Sequence, residues 1–293
     1  MTGVLPAIPS SVDDYSRIKK WILGGNNKYG TCGPTSLAND LLILTTYLNG
    51  VGISATDEQV FDLYRLSGNP NFDPDTDADD NGVDLQTMLE AAVKAGIAGH
   101  DVLGFGSFDH TNLDELRAAV AVFGCILIGV NLEVAQQTQT VWDYDPKNKE
   151  AWGGHAIAVG RFVKDPTLAT KDRTACITWA SIMDMTDLFL AHQLDEAWAV
   201  ILPEHLHDKT FLEGVDQAAL RSAYTSLTNR PFPSSPVPVP PPAPGPTPTP
   251  SPVVYPEDVS LADSVRSWVA KRHTGTTKPI AAALKTWMGK KGL

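Results

Sequence analysis

An α+β domain is predicted for residues 1–230 of this 293-residue chain. Two patterns and their order predict it. Apolar residues recur at helical spacing as far as Gly124, and short β-branched runs replace them beyond it. Helices first and strands after, in two blocks, match a segregated α+β arrangement rather than alternating βαβ units.

Pro34 stands where a first helical turn tolerates it, and Leu37, Leu41, Leu44 and Leu48 follow at spacings of four, three and four. Thr56-Asp57-Glu58-Gln59 has the form of a capping box, with Gly68 closing the helix it opens. Residues 84–95 form a further amphipathic helix stopped by Gly96, and Thr111 opens another that ends at Gly124. The strands are expected at 125–132 (CILIGVNL), 155–163 (HAIAVGRFV), 175–180 (ACITWA) and 197–202 (AWAVIL). A helix over 215–227 closes the domain.

Composition bounds the function. Hydrophobic residues make up 43% and charged residues 19%, the profile of a globular core. The longest apolar stretch, 118–130, is interrupted by Gly124 and Gly129 and is too short to span a bilayer. The N-terminus has no basic flank followed by an apolar run, so no signal peptide is expected. Cys32, Cys125 and Cys176 cannot make a disulfide framework. The net charge is −11, which argues against nucleic acid as a partner of the main domain. Residues 253–293 carry +4, and residues 1–252 therefore −15. Between them, twelve of the twenty-two residues 231–252 are proline, an extended polyproline tether. The organisation expected is a domain 1–230, a linker 231–256 and a basic helical hairpin 257–293.

Three stretches carry candidate chemistry. Asn26-Asn27-Lys28-Tyr29-Gly30-Thr31-Cys32-Gly33-Pro34 places a cysteine at a helix start, where the dipole lowers a thiol pKa. Trp152-Gly153-Gly154-His155-Ala156 places a histidine on an apolar strand behind two glycines that admit a substrate backbone. Thr178-Trp179-Ala180 ends the next strand. In this order the three resemble the papain-like cysteine peptidase superfamily over roughly residues 15–205. The stretch from Asp80 to Phe105 (DNGVDLQTMLEAAVKAGIAGHDVLGF) is similar to papain-like proteins encoded by bacteriophages.

That resemblance implies a helical half carrying the Cys32 helix, packed on an antiparallel β half carrying His155, with a C-terminal helical tail. It makes Cys32 the nucleophile, His155 the general base and Asn26 the side-chain donor of the oxyanion hole. A third residue, Asn or Asp, is expected just before the Trp, where this chain has Ile177 and Thr178. Neither is expected to hold the imidazole as an Asn or Asp does, which leaves Asp184 as the nearest acidic candidate and Trp179 as a covering residue. No metal or other cofactor is implied.

Other motifs have plainer readings. Asp77-Ala78-Asp79-Asp80-Asn81-Gly82 opens like an EF-hand loop, but its twelfth position is Met88 where a bidentate Glu is required. A solvated acidic loop is expected there, with weak cation binding as the alternative. Cys125 and Cys176 read as core thiols. His192, His205, His207 and His273 read as surface residues, and His100 and His110 as isolated.

In the tail, Leu261, Val265, Trp268 and Val269 make one helical stripe, and Ile280, Leu284, Trp287 and Met288 another. Such a hairpin is too small to fold alone, so it is expected to dock on a protein partner or on its own copies. The function expected is hydrolysis of a peptide or amide bond by a phage-derived enzyme, on cell-wall peptide or a viral protein. The alternative is a non-catalytic virion component that keeps the fold. The location expected is a virion, or the host cytoplasm before release.

Overall fold

The structure, a computed structural model, describes residues 8–164, 172–207 and 217–232. The chain divides into two units, Met1–Ser235 and Pro236–Leu293. The linker from residue 233 onward and the tail 257–293 lie outside the described residues.

Local signals set the helix ends. α1 (Cys32–Asn49) is buried from Gly33 to Thr45, so it is a core helix on all sides rather than an amphipathic one. α2 (Asp57–Leu66) begins in a capping box: the Thr56 hydroxyl accepts from Gln59 N–H, and the Gln59 side chain accepts from Thr56 N–H at 2.9 Å. α3 (Leu85–Ala95) is capped by Asp84, whose carboxylate accepts from Thr87 N–H at 2.8 Å. It stops at Gly96, where φ is 74° and a Cβ would lie 2.4 Å from the His100 carbonyl oxygen. α4 (Leu113–Phe123) is capped by Asn112 rather than by Thr111, because the Asn112 side-chain Oδ1 accepts from the Asp114 and Glu115 N–H groups.

Eight strands form one sheet: β1 (Ser11–Asp13), β2 (Gly104–Ser107), β3 (Ile126–Glu133), β4 (Val141–Trp142), β5 (Ala151–Val163), β6 (Arg173–Thr178), β7 (Ser181–Met185) and β8 (Leu194–Ile201). Their order is β2-β8-β3-β5-β6-β7-β4, with β1 on β5. Every pairing is antiparallel except β4 with β7. α5 (Asp187–Gln193) and α6 (Gln217–Thr228) complete the described helices.

The sheet separates two cores by strand alternation. Along β5, Ala156 and Ala158 pack with α1, whereas Ile157 and Val159 pack with α4 and α5. The helical block is therefore split: α1 and α3 line one face, and α4 joins α5 on the other. The α+β arrangement with an antiparallel sheet is as expected, with α4 and α5 covering the face opposite α1. β1 and β2 also enter the sheet from the helical half, as short edge additions that no apolar run announces.

A bulge between Val159 and Arg161 bends β5. The Tyr15 hydroxyl fills it, accepting from Gly160 N–H and donating to the Ala175 carbonyl, both at 2.8 Å. His205 is not on the surface: it is buried, its Nδ1 accepting from Leu202 N–H and its Nε2 lying 3.0 Å from the Phe123 carbonyl oxygen. Among the described residues no helix is long and apolar enough to cross a membrane.

Candidate active site

The N-terminus of α1 and the start of β5 meet in a cleft of about 290 Å³. Asn26, Cys32, His155 and Trp179 all line it, along with Lys28, Tyr29, Leu132, Trp152 and the two glycines before His155. The loop leading to Cys32 owes its shape to glycine. Gly25 has φ 70°, and a Cβ there would collide with Phe61 at 2.8 Å and with Tyr29 at 2.9 Å. Its carbonyl accepts the Lys28 and Tyr29 N–H groups at 2.9 Å, closing the turn that presents Asn26.

Thr31 precedes α1 but does not cap it, since its hydroxyl donates instead to the Gly24 carbonyl at 2.7 Å. The first-turn N–H groups are thus left for the sulfur and for a ligand. Cys32 is half-buried. Burial pushes its thiol above the ordinary value, and the N–H groups of Ala156 and Gly33 pull the other way. Desolvation is the larger effect, so the thiol shifts up rather than down as the helix start predicts.

His155 sits in an aromatic enclosure. Trp179 stacks on its ring at 4.7 Å and 16°, and Trp142 stands edge-on at 6.5 Å. These indoles exclude water, and the imidazole pKa falls to about 4. His155 Nε2 lies 2.7 Å from the Thr178 hydroxyl. Nδ1 has no protein partner among the described residues, and Cys32 lines the same cleft.

Thr178 overturns the expectation that neither residue before Trp179 holds the imidazole. The reason is strand parity. Ile177 and its partner Ala158 turn to the α1 core, whereas Cys176 turns to the opposite core, the face that carries Ile157. Thr178, next in alternation, falls on the histidine's face. Asp184 is elsewhere: it lies on β7 and accepts from Arg161 at 2.7 Å.

Cys125 and Cys176 are fully buried, with their thiols pushed up by desolvation. Trp142 is the site residue that the sequence does not point to; Trp152 carries no role of its own in the sequence reading, and Thr178 is weighed there and set aside. Trp152 stood beside the histidine motif and was legible as a neighbour; Trp142 lies on a two-residue strand that carries no pattern of its own. Among the described residues no cluster of His, Cys, Asp and Glu is arranged to hold a metal ion.

No protein-family model and no curated protein sequence matches the chain. Solved structures do match its fold. Xylellain, a cysteine protease from Xylella fastidiosa, superposes with a TM-score of 0.51 at 12% identity, covering 67% of this chain and 87% of that one. Digestive procathepsin L 3 of the Tenebrio molitor larval midgut gives 0.51 at 13% identity, over 67% of this chain and 71% of that one. At such identities the likeness is one of fold, and the fold is that of the papain-like cysteine proteases.

Proposed function

We propose that this chain is a cysteine peptidase or amidase. Cys32 Sγ attacks the carbonyl carbon of a peptide or amide bond while His155 Nδ1 takes the thiol proton. Thr178 accepts Nε2–H, which fixes the tautomer that leaves Nδ1 free to act as base. The Asn26 amide and the Cys32 backbone N–H donate to the oxyanion as it forms. The imidazolium then protonates the leaving amine. Water, activated by the same imidazole, hydrolyses the thioester and restores the thiol.

One observation carries this reading: a histidine fixed at one ring nitrogen by a buried hydroxyl shares a cleft with a helix-start cysteine. The scaffold alternative rests on a missing orienting residue, and the Thr178 hydroxyl 2.7 Å from His155 Nε2 supports the enzyme reading against it. The likeness of residues 80–105 to phage-encoded proteins supports a phage-derived enzyme, with cell-wall peptide or a viral protein as substrate.

The test is to incubate the protein with purified peptidoglycan and with mixed denatured proteins, and to map newly formed amine termini. Products are expected with the native chain and not with Cys32→Ala. The same products from Cys32→Ala, or Cys32 alkylation indifferent to His155→Ala, would overturn the assignment.

A further inference from the structure

The loop that delivers Cys32 is braced from outside, by the acidic segment 73–82. The Tyr29 hydroxyl donates to the Pro74 carbonyl at 2.6 Å, and Lys28 pairs with Asp77 at 3.1 Å. Deeper in, Asp80 Oδ1 accepts the Gly30 N–H at 2.8 Å and the Tyr64 hydroxyl at 2.7 Å. The Tyr64 hydroxyl in turn accepts the Gly82 N–H at 2.7 Å. Asn69 fastens the other side, donating to the Gly82 carbonyl at 2.8 Å and accepting the Asn81 N–H at 3.1 Å. The two loops touch backbone to backbone: a Cβ on Gly30 would stand 2.9 Å from Gly82. The residues that sequence reading placed in a solvated loop are therefore spent, in part, on a neighbouring loop.

We propose that Asp80 is a positioning residue, which fixes Asn26 and Cys32 against His155 by holding the Gly30 N–H. This rests on the reading of Cys32 as nucleophile. A carboxylate oxygen is a strong acceptor for two donors at once, and it joins segments fifty residues apart in sequence. Its charge has a second effect. The ionisable groups around the thiol are His155 from β5, Tyr64 from α2, Lys28 and Tyr29 from its own loop, and Asp80. Burial does most to disfavour a thiolate here, and of these groups the Asp80 charge adds to it.

The experiment is iodoacetamide alkylation of Cys32 in the full chain from pH 5 to 10, measured with and without His155→Ala. In Asp80→Ala, the part of the rate that depends on His155 is expected to fall by about tenfold or more, as for a displaced reacting group. Asp80→Asn keeps an acceptor oxygen and loses the charge. It is expected to restore the His155-dependent part and to move the alkylation midpoint to lower pH, which a merely structural residue would not do. If Asp80→Ala does not fold, Tyr64→Phe serves in its place, since it strips the second anchor from Asp80 and is expected to lower the same part of the rate. A native rate in folded Tyr64→Phe together with a native midpoint in Asp80→Asn would overturn the proposal. A native chain whose alkylation ignores His155→Ala would overturn it too, together with the nucleophile assignment; His155 dependence that survives unchanged in Asp80→Ala would sink the clamp alone.

Discussion

His155 Nε2 and the Thr178 hydroxyl lie 2.7 Å apart, so a neutral group orients the imidazole. A carboxylate there would stabilise an imidazolium; a hydroxyl supplies direction without charge. Under the proposed mechanism, burial of the thiol and of the indole-flanked ring makes cysteine and histidine a neutral pair at rest, with the proton moving as the sulfur attacks.

Thr178→Val keeps the shape and removes the hydroxyl. We expect kcat to fall about tenfold, the equivalent of one neutral hydrogen bond of roughly 1–1.5 kcal/mol. Thr178→Ser is expected to stay close to the native rate. An unchanged kcat in a folded Thr178→Val would show that Trp179 stacking alone orients the ring.

The pH profile follows from two shifts. A general base must be unprotonated, and His155 is protonated only below about pH 4 rather than below the usual 6.5. Activity is therefore expected to hold from neutral pH down toward 4 and to fall below it. Cys32, pushed up by burial, is expected to alkylate with a midpoint at or above that of an ordinary thiol. An acid limb near pH 6.5 would mean that the imidazole titrates as an ordinary one, and a thiolate titrating below 7 would mean a resting thiolate–imidazolium pair.

Asn26 is buried at the cleft wall, and its side chain has no partner among the described residues. Asn26→Ala is expected to lower kcat by about 10²–10³ with little change in KM, because the bond matures only as charge develops on the carbonyl oxygen. A loss confined to KM would assign Asn26 to ground-state binding.

Gly154 lines the cleft, yet a Cβ there meets no protein atom within 4 Å and its backbone is not in the left-handed region. The fold does not need this glycine; room for a substrate does. Gly154→Val is expected to leave the melting temperature unchanged and to lower kcat/KM by about tenfold or more, on the order of the cost of losing a near-attack geometry. Native kcat/KM in that variant would place the substrate elsewhere.

What the sequence determined by itself is what short-range bonding controls. The Thr56 capping box, the Asp84 cap and the glycine stops at Gly96 and Gly124 are made of groups within four residues of one another, so their side-chain chemistry is readable in a line. The same holds for Cys32 at a helix start and His155 behind two glycines. Tertiary structure decided what depends on distant partners. Thr178 meets His155 only because strand pairing and parity put them on one face, twenty-three residues apart. Asp80 reaches Gly30 across fifty residues. The lowered pKa of His155 follows from burial beside Trp142 and Trp179, and burial is a property of the assembled core, not of any stretch of chain.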